Sequence, residues 1–383
     1  MKSLDQSSIR KQNVRRILDL LTLQSPLTRQ YLADSTGLSL MTVTNLIDQL
    51  KEQQVLELAP VSRSVQQKRM SGRKAENISL CGSGHAWLVI DLSGWHFRYI
   101  LLGFDLSVLL ERNCSAEGAY LPRLEAFLSG IRDEIAEPIA SRKLLGVAVV
   151  APGPYEIEND TVYNQRLPEL NNVQIKALMH RCLGDYDYYV DEDVKFAVRA
   201  FAPLIKQDSC ELLYYLFIGE GVGGAAVHNG NMLRGLNATA GDAGQLTTPG
   251  GATYESLLSL SAFAESLGCH AQDNRQLLEQ LRACAENDPQ AYLQALKAAA
   301  QTVGDMLHSV LWVLDPSHII IDCRYTLLFK DEFNRFIAES AAHRLSASGR
   351  KFPSIVPVPQ GMSSVVRGAV QVLQREWIER ILT

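Results

Sequence analysis

No stretch of this 383-residue chain is apolar for long enough to cross a bilayer, and no charged start followed by an apolar run marks a secretory signal. Paired cysteines are missing too. The seven cysteines stand singly, with no C-x-x-C or C-x-C spacing. An odd, scattered set argues against a disulfide framework and a zinc ribbon, and points to a reducing cytoplasm. A strong excess of either charge is absent from the whole: 37 Lys+Arg against 42 Asp+Glu leave −5. What remains, 46% hydrophobic and 21% charged, is the composition of a soluble globular chain of two or three domains with no membrane partner.

The small net charge hides an asymmetry. Residues 1–80 hold 12 Lys+Arg and 7 Asp+Glu, or +5; the other 303 hold 25 and 35, or −10. A basic head on an acidic body suggests nucleic-acid binding by the head. Its pattern agrees. Residues 9–23 place apolar side chains at helical spacing, and Ser25-Pro26 ends that helix. Thr28 then caps a short helix, Arg29 to Ser35, and Gly37 makes the turn. Ser39 caps a third helix, Leu40 to Gln54, with Val43, Leu46, Ile47 and Leu50 facing inward. Helix, glycine turn, helix at this spacing predicts a helix-turn-helix. Arg29, Ser39, Met41, Thr42, Thr44 and Asn45 are its candidate DNA contacts, side chains able to reach base edges and phosphates. Two strands, Val55–Leu58 and Asn77–Leu80, flank a basic segment with Arg63, Lys68, Arg69, Arg73 and Lys74. That predicts a winged helix-turn-helix, with Arg69, Arg73 and Lys74 on phosphate or minor groove. A three-helix packing module with a basic loop is the plainer alternative.

The most informative stretch is Leu216 to Gln245. Two short apolar runs around Gly219–Gly224 read as a buried hairpin, and Asn229-Gly230 as a tight turn. Glycines at 219, 221, 223 and 224 admit a phosphate to the backbone, or simply make a tight turn. The segment Arg234 to Gln245 combines small residues with Asn, Asp and Gln, which suits a polyhydroxyl ligand.

Gly219, Gly221, Gly223, Asn229, Gly230, Gly235, Ala240, Gly241 and Gly244 fit the pattern G-T-G-x-G-x-G…N-G…G…A-G-E-x-G-H. In this the chain resembles the ROK family, which holds sugar kinases and sugar-responsive repressors. The basic winged head resembles that of the repressor branch. The resemblance implies a body of actin-like (ribonuclease-H-like) fold, two α/β lobes with the ligand between them. It divides the chain into residues 1–81 (winged helix-turn-helix), 82–195 completed by 365–383 (first lobe) and 196–364 (second lobe). It also implies ligand contacts at Gly153 in Ala151-Pro152-Gly153-Pro154, at Asn164, at Glu192 and Asp193, and at Asp242, Gln245 and Glu255.

The departures matter as much. Glu220 stands where the family has Thr, Glu192 for Asn, Asp242 for Glu and Gln245 for His. In the first phosphate turn, Asp91-Leu92-Ser93-Gly94-Trp95, Ser93 and Trp95 replace a Gly and a Thr; Asp91 itself is as well explained as a turn-forming residue. Asp193 holds the kinase base position, and is also well placed to cap the helix that follows. Asp322-Cys323-Arg324 replaces the glycines that admit adenosine. The zinc loop has lost its His and three thiolates, so the metal has no ligands and no cofactor is expected. Cys269-His270 reads as structural.

Three readings follow. A sugar kinase needs phosphate-cradling turns, and here they are altered. Glu220 beside a triphosphate costs roughly 3 kcal/mol for one like-charge pair at about 5 Å and an effective dielectric near 20. A regulator that senses a sugar or sugar derivative, non-catalytic, with an operator duplex as partner and a homodimer or tetramer as assembly, accounts for both head and body. A regulator whose body binds a protein is the third. Four carboxyls, at Glu192, Asp193, Asp242 and Glu255, further suggest a cationic ligand such as an amino sugar.

Overall fold

The computed structural model describes residues 6–60, 76–93, 96–115, 118–164, 167–201, 211–271, 273–345, 349–359 and 361–381. They belong to two compact units, Met1–Asp193 with Val366–Thr383, and Val194–Val365.

The first unit opens with α1 (Gln6–Leu23), then β1 (Leu27–Thr28), α2 (Arg29–Thr36) and α3 (Leu40–Glu52). Thr28 and Ser39 cap α2 and α3 by accepting from the N–H groups of Tyr31 and Thr42, and Gly37 ends α2 in the left-handed region at φ +70°. Val43, Leu46, Ile47 and Leu50 of α3 are buried, as are Val14, Ile17, Leu18 and Leu21 of α1. Two strands follow, β2 (Leu56–Pro60) and β3 (Glu76–Leu80), in a small antiparallel sheet ordered β1-β3-β2. Three helices with such a sheet are a winged helix-turn-helix. The two-residue strand β1 carries too little pattern to be read from sequence.

The same unit continues with β4 (His85–Asp91), β5 (His96–Gly103), β6 (Val108–Ser115), α4 (Tyr120–Ala136), β7 (Lys143–Ala151), β8 (Tyr155–Glu156), β9 (Thr161–Val162), α5 (Ile175–Leu183) and β10 (Tyr188–Glu192). Its sheet runs β10-β7-β4-β5-β6, antiparallel from β4 to β6 and parallel from β4 through β7 to β10. Near-continuous apolar runs in β4 and β7 suit central strands covered on both faces.

The second unit holds α6 (Asp193–Arg199), β11 (Leu212–Ile218), β12 (Val222–His228), β13 (Asn231–Met232), α7 (Tyr254–Leu258), α8 (Leu260–Ser266), α9 (Asn274–Asn287), α10 (Pro289–Val313), β14 (His318–Cys323), α11 (Lys330–Leu345) and β15 (Ser354–Val356). Its sheet runs β13-β12-β11-β14-β15 with the same parallel and antiparallel pairings. The strand order of the first unit is therefore repeated in the second, the duplicated α/β arrangement of actin-like folds. The helix after the fifth strand changes unit in both halves: α6 follows β10, and α12 (Ser364–Ile381) follows β15 and returns to the first unit. No helix among the described residues is long and apolar enough to cross a membrane.

Within the first unit, α12 also reaches the head. Lys11 Nζ lies 2.9 Å from Glu379, and Thr22 Oγ1 donates to Gln374 Oε1 at 3.4 Å. On α1, Asp19 is largely buried, 3.8 Å from Arg15 Nε. Burial drives its carboxyl up from the ordinary 3.8 to about 6, and Arg15 opposes the shift.

Candidate functional site

The outward face of α3 carries Ser39, Met41 and Asn45 exposed, with Thr42 and Thr44 half-buried beside them. Met41 is 76% exposed, an unusual position for a methionine. Ser39 and Thr42 share a 2.8 Å hydroxyl contact, and Thr44 donates back to Leu40 O at 2.9 Å. Arg29 is less available than the sequence suggests. Its guanidinium is held between Glu76 at 2.5 Å and Asp48 at 3.3 Å. Arg63, Lys68, Arg69, Arg73 and Lys74 lie outside the described residues.

In the first unit the chain leaves β7 through Pro152 and Gly153, whose φ of +92° no other residue adopts without strain. A Cβ on Gly153 would stand 2.9 Å from Asn164 Nδ2. Asn164 clips this loop. Its amide donates to Pro152 O at 3.0 Å, its carbonyl oxygen accepts from Leu167 N at 3.1 Å, and its own N–H donates to Asn171 at 2.8 Å. Glu192, at the end of β10, accepts from Tyr155 N at 3.0 Å, and Tyr155 OH donates to Asp160 at 2.7 Å. Asp193 is the first residue of α6, where a carboxylate meets the positive end of the helix dipole. Asp91 accepts from both Ser93 N, at 3.0 Å, and Ser93 Oγ, at 2.6 Å. The Ser that replaces a family glycine therefore closes the turn on that acid. A surface groove of about 610 Å³ in this unit is lined by Asn159, Thr161, Asn172, Gln174 and Arg181 and contains none of the sequence-predicted ligand residues.

In the second unit, β11 and β12 pair from Leu212↔His228 to Ile218↔Val222, so the predicted buried hairpin is present. The turn between them is tight, with Gly219 N donating to Gly221 O at 2.9 Å. It is also filled from inside the chain. A Cβ at Gly219 would meet the Phe217 ring at 2.5 Å and Arg324 Cγ at 2.9 Å. Arg324 Nε stands 4.0 Å from Glu220, and its guanidinium lies 5.9 Å from the Phe217 ring centre. Glu220 is thus not a lone carboxylate, and the like-charge penalty against a phosphate is smaller than the sequence implied.

The segment 234–245 is packed against that hairpin with little tolerance. A Cβ on Gly244 would fall 1.9 Å from Val222 O, and one on Gly224 would fall 2.4 Å from Gly241 O. Tyr214 OH donates to Gly241 O at 2.9 Å. Asp242 accepts from Gly244 N at 3.3 Å, while Glu255, on α7, accepts from Val222 N at 3.1 Å. Gln245 is exposed.

Lys195, 1% exposed, lies among these groups and escaped the sequence reading. Its ammonium donates to Ala238 O. Burial raises the Asp242 carboxyl and nearby Glu255 adds to the rise, while the Gly244 N–H and the charge of Lys195 oppose it. Asp242 therefore has a cation of its own nearby, which weakens one reason to expect a cationic ligand. The available signal was a lysine inside the otherwise apolar run Val194-Lys195-Phe196-Ala197-Val198, where a charge is buried only with partners.

A winged helix-turn-helix joined to a duplicated actin-like body defines the class of this protein. Residues 87–376 match the model of the ROK family, and the chain belongs to that family. Among solved structures, a ROK family transcriptional regulator described as a homologue of the E. coli MLC protein superposes with TM-score 0.64 at 17% identity, covering 97% of each chain. The ROK hexokinase of Thermus thermophilus superposes with TM-score 0.57 at 20% identity, covering 76% of this chain and 98% of its own. Among curated sequences, an N-acetyl-D-glucosamine kinase of Citrobacter koseri is 29% identical over 126 residues, 33% of this chain and 41% of that kinase. The chain thus aligns with less than half the length of that relative.

Proposed function

We propose that this protein is a DNA-binding transcriptional regulator, acting as a repressor, whose kinase-like body takes up a small sugar or sugar derivative and does not transfer phosphate. The observation that carries the reading is one chain holding both a winged head with a polar, outward α3 and a nucleotide turn packed with its own Phe217, Glu220 and Arg324. The regulator among the structural neighbours spans the head as well as the body, whereas the hexokinase covers 76% of the chain; this supports the regulator reading.

In the proposed mechanism α3 enters the major groove. Ser39, Met41, Thr42, Thr44 and Asn45 face base edges and phosphates, and the basic residues Arg69, Arg73 and Lys74 add phosphate contacts. Arg29 joins them by exchanging Glu76 or Asp48 for a phosphate. Two copies set two α3 helices about 34 Å apart on a palindromic operator. The effector contacts proposed in the first unit are Gly153, Asn164, Glu192 and Asp193; those proposed in the second are Asp242, Gln245 and Glu255. Effector and DNA favour different conformations, so each weakens the other's binding.

A body that binds a protein instead of a metabolite is the second reading, favoured by the engagement of Asn164 and Glu192 with their own backbone. A thermal-shift panel of sugars, sugar phosphates and amino sugars separates the two, since a true effector raises the melting midpoint. The central test is selection of bound fragments from genomic DNA, followed by affinity measured across salt. We expect binding that weakens steeply with salt. Absence of DNA binding, together with ATP-dependent sugar phosphorylation lost in Asp193→Asn, overturns the proposal in favour of a kinase.

A further inference from the structure

The second unit contains a thiol pair that the regulator reading does not use. Helix α8 ends in a left-handed glycine stop: Gly268 has φ +68°, Gly268 N donates to Glu265 O at 3.0 Å, and Cys269 N donates to Ala264 O at 2.9 Å. This stop turns Cys269 back toward α9. There Gln280 donates to His270 O at 2.9 Å, and Cys284, one turn further along the same face, brings its sulfur 3.3 Å from Cys269 Sγ. Cys269 is buried and Cys284 half-buried. The other described cysteines, at 81, 114, 182 and 323, are not paired with them.

We propose that Cys269 and Cys284 form an internal disulfide site, open in reducing conditions and closed by two-electron oxidants such as peroxides. Closure asks the sulfurs to approach by roughly 1.3 Å, because a disulfide bond is about 2.05 Å long. That movement is small beside the freedom of two cysteine χ1 angles at a helix end. The half-exposed Cys284 meets the oxidant first. Its thiolate attacks a peroxide oxygen, the O–O bond breaks, and hydroxide leaves as water after taking a proton, giving a sulfenic acid. Cys269 sulfur then attacks Cys284 Sγ. The Sγ–Sγ bond forms, the S–O bond breaks, and the Cys269 proton leaves with the oxygen as a second water. Two electrons pass from the thiols to one peroxide.

The Cys269 thiol is pushed up to about 11, by burial first and then by its bond to Cys284. It is therefore a resolving thiol and a poor first nucleophile. The bond would fix the C-terminal end of α8. At the other end of α8, Leu260 N donates to Gly219 O at 2.6 Å, and Phe263 stacks on Tyr325 at 4.0 Å. Oxidation would thus stiffen the helix that holds the glycine turn of the β11–β12 hairpin.

The test uses the full chain, reduced and then treated with hydrogen peroxide or diamide, alkylated, digested and mapped without reductant. We expect one linked peptide joining Cys269 to Cys284 and a fall in titratable thiols from seven to five, since two of the seven are consumed. The melting midpoint of the second unit should rise by on the order of 5 °C and return on reduction. Cys284→Ser should retain all six of its thiols under the same treatment. Recovery of Cys269 and Cys284 as free alkylated residues, or a link from either to another cysteine, overturns the proposal. The mapping is made on the unsubstituted chain, so it decides the matter even if Cys284→Ser folds poorly, and it needs neither DNA nor a sugar.

Discussion

Replacing Asp19 by Asn should stabilise the first unit at neutral pH, although it removes a charged residue from an apparent ion pair. Asp19 lies on α1 beside Arg15, and Arg15 in turn faces Arg375 and Glu379 of α12. Burial outweighs these partners and lifts the carboxyl from 3.8 to about 6. A carboxyl raised in the folded state binds a proton that the unfolded chain releases. Its contribution to stability is therefore best below the unfolded value and is lost as pH rises through the folded value. A shift of about two units at 1.36 kcal/mol each amounts to about 3 kcal/mol at pH 8. Asn presents the neutral form at every pH, so Asp19→Asn should gain up to about 3 kcal/mol at pH 8 and little at pH 4. Urea unfolding monitored through the first unit at half-unit steps from pH 4 to 8 measures this. A wild type more stable than the variant at pH 8, or a difference that does not change with pH, would refute the reasoning and show that the Arg15 pair outweighs burial.

Two further outcomes are expected. Gly244→Ala places a methyl 1.9 Å from Val222 O, with backbone on both sides unable to yield; a loss of about 3 kcal/mol or failure to accumulate as soluble protein is expected, read by denaturant midpoint and yield. Lys195→Met keeps the apolar stem but strips Ala238 O and Asp242 of their cation. It should cost about 2 kcal/mol in urea, and Lys195→Arg should not restore it, because a planar fork does not fit the place of a compact ammonium.

Much of the fold was legible because it rests on local chemistry. Thr28, Gly37 and Ser39 announce the head by capping and turning, and the four inward residues of α3 stand at plain helical spacing. The hairpin announces itself through apolar runs broken by glycine, and Asn229-Gly230 turns with positive φ at both residues. Strand β6 carries little sequence signal because it is an edge with half its side chains exposed in an irregular pattern. The break between α7 and α8 is hard to see in sequence because Ser259 both ends one helix and caps the next. In the candidate site, the family resemblance pointed to Asn164, Glu192, Asp242 and Glu255, but not to what occupies their hydrogen bonds. Each of them bonds a backbone group, and backbone groups leave no mark in a sequence. Arg324 could be read as a lost glycine; its approach to Glu220 depends on β14 lying beside β11, a pairing between segments about a hundred residues apart.

The seam between α1 and α12 has a consequence for how the molecule is made. Lys11 meets Glu379 across 368 residues, and Thr22 meets Gln374 across 352. While the ribosome is still adding the second unit, Lys11 and Thr22 of α1 lack these partners. The seam zips shut only once the closing helix has emerged. Cutting the chain before Ser364 should therefore leave a newborn protein with one side of its leading helix uncovered, a target for chaperones and proteases.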